Sequence, residues 1–248
     1  MKIALSFFGL TRSLRYTIQS IEKNILEELN KNNIEYDIFL HTYFLETYSN
    51  YRVNDVNEFT ETIEDMDNNE YKLLKAKYLQ IDNQDEIKKE IKLEEYRTHE
   101  DPWNSNYNSV DNFILAQYSK LQLVKMIEKS ENSYDYIIYL RPDVLYLYKF
   151  DINYFKDIRD NIICIPDNCQ FGKYNFNDRF AITNKKTYKI YGNIFNDLLQ
   201  ISKKKPLHSE TVLGERLIKN NINFKGIPIK FQRIRANGKI DIKDLKVI

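Results

Sequence analysis

The apolar positions of this chain fall into two patterns. Residues 3–8 and 137–140 are short, nearly unbroken apolar runs rich in β-branched and aromatic side chains. Such runs mark strands covered on both faces, as at the centre of a parallel sheet. Elsewhere the spacing is helical. Ile18, Ile21, Ile25, Leu26 and Leu29 share one helix face, and a further strand is expected at 36–42. Strand, helix and strand in that order predict a parallel pair joined by a right-handed crossover. Phe113, Ile114, Gln117, Leu121, Val124 and Ile127 repeat at helical spacing and predict a long helix capped by Asp111. Short strands follow at 162–165 and 180–182, with a helix at 185–201 marked by Tyr188, Tyr191, Phe195 and Leu198. His208-Ser209-Glu210 opens a last helix that turns Val212, Leu213 and Leu217 inward, and residues 224–231 form a closing strand.

Residues 43–109 break the alternation. They are polar, with helices expected at 71–79 and 85–96 and a turn-rich aromatic stretch around Trp103, which reads as a core-covering side chain. The expectation is one α/β domain over 1–248 carrying a polar, partly helical insertion at 43–109. Strands alternating with helices predict three layers, α/β/α, around a mostly parallel sheet.

With 248 residues the chain can bury a real core, and its 42% hydrophobic and 29% charged residues describe a globular protein. The formal net charge of +1 gives no basic field, so nucleic acid is not an expected partner. Cys164 and Cys169 form neither a CxxC pair nor a zinc framework, and two cysteines are too few for a disulfide scaffold. A reduced intracellular compartment fits them. The first ten residues lack a cleavage site and meet Arg12 and Arg15 at once, so no signal sequence and no membrane span are expected. Peripheral attachment to a membrane stays open.

The candidate chemistry lies at the ends of these elements. The run at 137–140 ends in Arg141-Pro142-Asp143, where Pro142 cannot continue a sheet ladder. A cation and a carboxylate thus stand at the carboxyl end of a buried strand, the edge where open α/β sheets bind ligands. A structural ion pair closing the turn explains the same residues. Thr11, Arg12 and Ser13 start the first helix, whose free N–H groups suit an anion, although they also read as plain caps. Asp178 and Arg179 precede a strand, His208 and Glu210 begin a helix, and Arg233 and Arg235 lie in the basic tail.

In this order the motifs resemble GT-A-fold glycosyltransferases, in particular small viral and bacterial glycosyltransferase-like proteins. The residues carrying the resemblance are Gly9, Arg12 and Ser13; Arg141, Pro142 and Asp143; residues 177–181; and Glu210. It covers most of the chain outside 43–109. It implies transfer of a sugar from a nucleoside-diphosphate sugar (UDP- or GDP-linked) to a glycan or other hydroxyl acceptor, with inversion; the expected location, from the cysteines, is the cytoplasm or, for a viral chain, the host cytoplasm. Glu210 corresponds to the base, with Asp178 as its alternative or else as a ligand to the donor sugar. Arg12, Ser13, Arg141, Asp143, Arg179, Arg233 and Arg235 correspond to donor and diphosphate contacts. Relatives usually carry D-x-D where this chain has Arg-Pro-Asp. Asp143, with His208 as a further ligand, is then the candidate site for Mn²⁺ or Mg²⁺. Alternatively, arginines neutralise the leaving diphosphate without a metal. A second reading is a silent carbohydrate- or nucleotide-binding module of the same fold. A nucleotidyltransferase is the third, set back by the lack of a Gly-rich loop after the first strand.

Overall fold

A computed structural model describes residues 1–53, 58–241 and 244–247. Its centre is a seven-stranded sheet in the order β10-β8-β9-β6-β1-β2-β5. The expected opening is present: β1 (Lys2–Phe8) pairs in parallel with β2 (Glu35–Phe44), and the crossover comprises α1 (Leu14–Ile21), a π-helical turn (Glu22–Leu26) and α2 (Glu27–Lys31). A two-stranded ribbon, β3 (Ser49–Val53) and β4 (Glu58–Thr62), precedes β5 (Tyr78–Asn83), which lies parallel to β2. α3 (Gln84–Glu90) and the long α4 (Asn108–Lys129) lead to β6 (Tyr136–Leu140), parallel to β1 on its other side. β7 (Val144–Tyr146), β8 (Ile162–Pro166) and β9 (Ala181–Asn184) follow, then α5 (Tyr188–Gly192), α6 (Phe195–Ser202), α7 (Ser209–Lys219), β10 (Asn223–Ile227) and β11 (Phe231–Arg233). β9 alone runs against its neighbours β6 and β8, so the sheet is mostly parallel, as expected.

Alternating side chains build one core on each face. Ile3, Leu5 and Phe7 of β1 and Ile138 and Leu140 of β6 pack with Leu14, Ile21 and Leu29 of the first crossover. Ala4, Phe8, Ile137 and Tyr139 pack on the other face with Phe113, Val124, Tyr191 and Leu213. The result is the three-layer α/β arrangement.

Several boundaries differ from the pattern-based reading. The expected helix at 71–79 is a short 3₁₀ turn (Glu70–Leu74) followed by β5, so the polar segment supplies an edge strand of the main sheet. An edge strand is covered on fewer sides, which is why its sequence carries no apolar run; Leu79 stays 44% exposed. The helix expected at 185–201 is two helices, broken after Gly192, where an added Cβ would meet Val124 and Tyr139 at under 3 Å. The closing strand divides at Pro228: β10 pairs with β8, whereas β11 turns away to pair with β7. Asp111 is no cap; α4 starts at Asn108, and Asp111 sits in its first turn paired with Arg97.

Topology explains where the polar residues meet. Because β1, β2, β6, β8 and β10 are parallel, their carboxyl ends share one edge. Helices that return before a parallel strand start at that edge, which places the amino ends of α1, α4 and α7 there. β9 is reversed, so the residues that precede it, Asp178 and Arg179, arrive at the same edge.

Candidate functional site

Gly9 ends β1 with φ +92°, a conformation that favours glycine. Its N–H donates to the Ser119 hydroxyl (3.0 Å). Ser119 Oγ lies 2.8 Å from His41 Nδ1, and His41 Nε2 lies 3.0 Å from Asp82 Oδ2. Burial, only partly offset by Asp82, lowers the pKa of His41. Neutral His41 donates from Nε2 to Asp82, and the Ser119 hydroxyl sits against both His41 Nδ1 and the His41 main-chain carbonyl (3.2 Å). Ser119 and His41 are both fully buried, so this serine–histidine–aspartate line is a brace for the Gly9 turn and not a nucleophile. The polar strand β5 hid it from sequence reading.

The Gly9 turn delivers Arg12, and the end of β6 delivers Arg141 and Asp143. Asp143 is 2% exposed. Arg141 grips it with Nε on Oδ1 (2.8 Å) and Nη2 on Oδ2 (2.6 Å), and Arg12 Nη2 adds a contact to Oδ2 at 3.1 Å. Burial alone raises a carboxyl pKa, but Arg141, then Arg12 and Arg235, overcome it and hold Asp143 well below the usual carboxylate range. Asp143 is therefore ionised and committed to guanidiniums through both oxygens.

The tail brings the other arginines. Arg233 holds Asp244 through Nε (2.7 Å) and Nη2 (2.9 Å), Arg179 reaches the same carboxylate at 3.4 Å, and Arg235 pairs with Asp241. Among the described residues, Arg12, Arg141, Arg179, Arg233 and Arg235 thus gather around Asp143, Asp241 and Asp244 at this edge. Arg141 keeps the most open side chain of the Asp143 group. A cavity of about 120 Å³ opens between them, lined by Gly9, Arg12, Arg141, Asp143, Arg233 and Arg235. A larger concavity of about 820 Å³ lies at the opposite edge, lined by Met1, Asp135, Arg159 and Lys186, and meets none of these residues.

Beside the arginines is a second, acidic group. Glu210 lies in the first turn of α7, 8% exposed. Burial, then the charge of Asp178, push its pKa up to about 7, while the Ser209 hydroxyl donates to Oε2. His208 Nδ1 is 3.5 Å from the same oxygen, and Trp103 stacks on the His208 ring at 5.0 Å. Trp103 also packs on the core, so it covers as expected and braces His208 as well. Gly172, φ +71°, lets the 170–177 loop close over α7: an added Cβ would come within 2.7 Å of Thr211 Oγ1. Lys120 of α4, which sequence reading missed because it falls on a mostly apolar helix face, lies between the two groups. Its Nζ is 3.4 Å from the Asp178 carbonyl, and Asp178 and Arg141 both act on its charge.

Two expected roles do not match this geometry. The Ser13 hydroxyl is fully buried and donates to the Ile234 carbonyl (2.8 Å), tying α1 to the tail instead of facing an anion. The α1 amino terminus is already occupied: Glu70 accepts from the Arg15 N–H and from Arg15 Nη1, both at 2.8 Å. An internal carboxylate from the polar segment thus fills the expected anion site. The metal assignment fares no better on fit. Both Asp143 oxygens already accept from guanidiniums, His208 meets Glu210 and Thr211 through Nδ1, and no group of three or more metal-ligating side chains occurs among the described residues. Arg12, Arg141, Asp143, Arg179, Arg233 and Arg235 do come together, with Asp178, His208 and Glu210 alongside.

No protein-family model and no curated protein sequence matches the chain. Among solved structures it is similar to galactosyltransferase LgtC in complex with donor and acceptor sugar analogues, with TM-score 0.45, 12% identity and 90% of this chain covering 73% of that one. It is also similar to an active-site mutant of LgtC, with TM-score 0.44, 14% identity and 90% of this chain covering 72% of the other. A third similar structure is mouse xyloside xylosyltransferase 1 in its apo form, with TM-score 0.41, 14% identity and 91% of this chain covering 84% of the other.

Proposed function

We propose that the protein is a GT-A-like glycosyltransferase that takes a sugar from a UDP- or GDP-sugar and passes it to a hydroxyl acceptor. One observation carries this reading: an edge that gathers Arg12, Arg141, Arg233 and Arg235 around one cavity adjoins a buried glutamate whose pKa is pushed up to about 7. The arginines suit a diphosphate, which guanidiniums bind through paired N–H groups. The glutamate suits a base that takes the acceptor proton near neutral pH.

In this reading the acceptor hydroxyl loses its proton to Glu210 as its oxygen attacks the anomeric carbon. The bond from that carbon to the diphosphate oxygen breaks, and Arg141, Arg12 and Arg233 stabilise the departing charge. Attack opposite the leaving group inverts the centre. Asp178 supports Glu210 by keeping its proton affinity high, and it stands in as the base should Glu210 be dispensable. A divalent metal at Asp143 would compete with the guanidiniums of Arg141 and Arg12 for its oxygens, so the route proposed is cationic. The same engagement of Asp143 favours the second reading, a silent nucleotide- or carbohydrate-binding module.

Incubation with a panel of UDP- and GDP-sugars, with and without Mn²⁺, tests the proposal. Release of free nucleotide and sugar supports it. Saturable nucleotide binding with no turnover for any donor or acceptor overturns it in favour of the silent module. No binding at all removes both.

A further inference from the structure

A lysine is a poor choice for the sheet-facing side of a helix, because its charge loses water there. Lys120 nevertheless sits fully buried on α4. Its amine lies between the rings of Phe8, at 4.5 Å from the centroid, and Tyr191, at 4.4 Å. It donates to the Tyr191 hydroxyl (3.1 Å) and to the Asp178 main-chain carbonyl (3.4 Å), and the Tyr191 hydroxyl approaches the same carbonyl at 3.5 Å. Among the described residues no carboxylate forms an ion pair with it. A methionine would fill this space without the cost of burial, so packing does not account for the residue.

What the amine does is join three elements: the end of β1 through Phe8, α5 through Tyr191, and the turn at 177–180 through Asp178. The charged and titratable groups facing it are Asp178 from that turn, Arg141 from the end of β6, and Tyr191 from α5, with Tyr139 of β6 behind Tyr191. Arg141 belongs to the anion side of the site and Asp178 to the acidic side. We propose that Lys120 is a positioning residue, which pins the Asp178 turn against the end of β1 and so holds the Asp178 carboxylate beside Glu210. Its catalytic meaning rests on the function proposed above; the pinning itself does not.

Burial lowers the pKa of the amine to about 7, which Asp178 opposes and Arg141 reinforces. The sign of the linkage follows. The unfolded chain keeps this proton to the ordinary lysine value of 10.5, whereas the folded protein sheds it near 7. The unfolded state therefore binds more protons between these values, and Lys120 makes stability rise with pH across that window.

The test is Lys120→Met, read in three ways. Hydrogen exchange at residues 178–180 should quicken by about tenfold, as expected for loss of a hydrogen bond to a partly buried carbonyl, with the rest of the sheet unchanged. The rise of stability between pH 7 and 10.5 should disappear. With an active donor, kcat should fall while nucleotide affinity stays near wild type. A folded variant with wild-type exchange at 178–180, or with the pH rise intact, overturns the proposal. Should Lys120→Met fail to fold, the wild type decides: amides at 178–180 should be protected well beyond those of the adjoining 170–177 loop, and equal, loop-like exchange overturns the proposal. If the exchange and pH effects appear but no donor turns over, the pin stands and the glycosyltransferase reading fails.

Discussion

Asp143→Asn removes one negative charge from among three guanidiniums while keeping the side chain's shape. In the wild type, Asp143 is 2% exposed, and Arg12 beside it is 7% exposed. Water cannot take over the lost charge, and the amide offers one acceptor oxygen where the carboxylate offered two. Breaking a buried ion pair from one side costs about 3–5 kcal/mol. For a chain of this size each kcal/mol moves the midpoint by about 2–4 °C, so the variant should melt roughly 6–20 °C lower. Thermal unfolding followed by circular dichroism at pH 7 measures this. The acid side gives a second check. The pKa of Asp143 is depressed by folding, so its stabilisation is present above the ordinary carboxylate value of 3.8 and lost as pH falls below it. The two melting curves should therefore converge in acid. Inorganic pyrophosphate should rescue the variant more than it stabilises the wild type, because an added anion takes the vacated place among the arginines. A drop of less than about 2 °C would refute the ion-pair reasoning. Equal stabilisation of both proteins by pyrophosphate would refute the anion cradle.

Glu210→Gln should depress transfer by about 10²- to 10⁴-fold with donor affinity little changed, since the proton is taken only in the transition state. The wild-type rate should rise with pH through about 7 as Glu210 ionises, and the variant should lack that limb. The same raised pKa makes the folded state hold its proton longer than the unfolded chain, so the wild type loses stability from pH 4.5 to about 7 and Glu210→Gln does not. EDTA should leave turnover intact, whereas Arg141→Ala should weaken UDP binding by about 10- to 100-fold, as for loss of hydrogen bonds to a charged group; calorimetry reads the second effect. Glu70→Ala, which strips a buried carboxylate from the α1 amino terminus, should cost about 1–3 kcal/mol in urea unfolding; no loss would mean that α1 does not need its internal anion.

The sequence alone determined those features that local chemistry dictates. Unbroken apolar runs specify strands covered on both faces, so β1 and β6 were legible at the centre of the sheet. Helical spacing specified the first crossover and α4, and the stop imposed by Pro142 placed Arg141 and Asp143 at a strand end. The common edge was legible too, because parallel strands linked by helices return their carboxyl ends to one side. Tertiary structure decided what each polar group meets there. β5 became a strand through pairing with β2 and not through its own pattern, since an edge strand needs few apolar residues. Glu70, 55 residues from Arg15, filled the helix terminus that local reading left for a ligand. Asp244, 65 residues after Arg179 in sequence, took up part of the arginine charge. Lys120 looked like an interruption of an apolar face until folding set it between Phe8, Tyr191 and Asp178. Charges act through space and are strengthened where water is excluded, and neither their distance nor their burial is written in the order of residues.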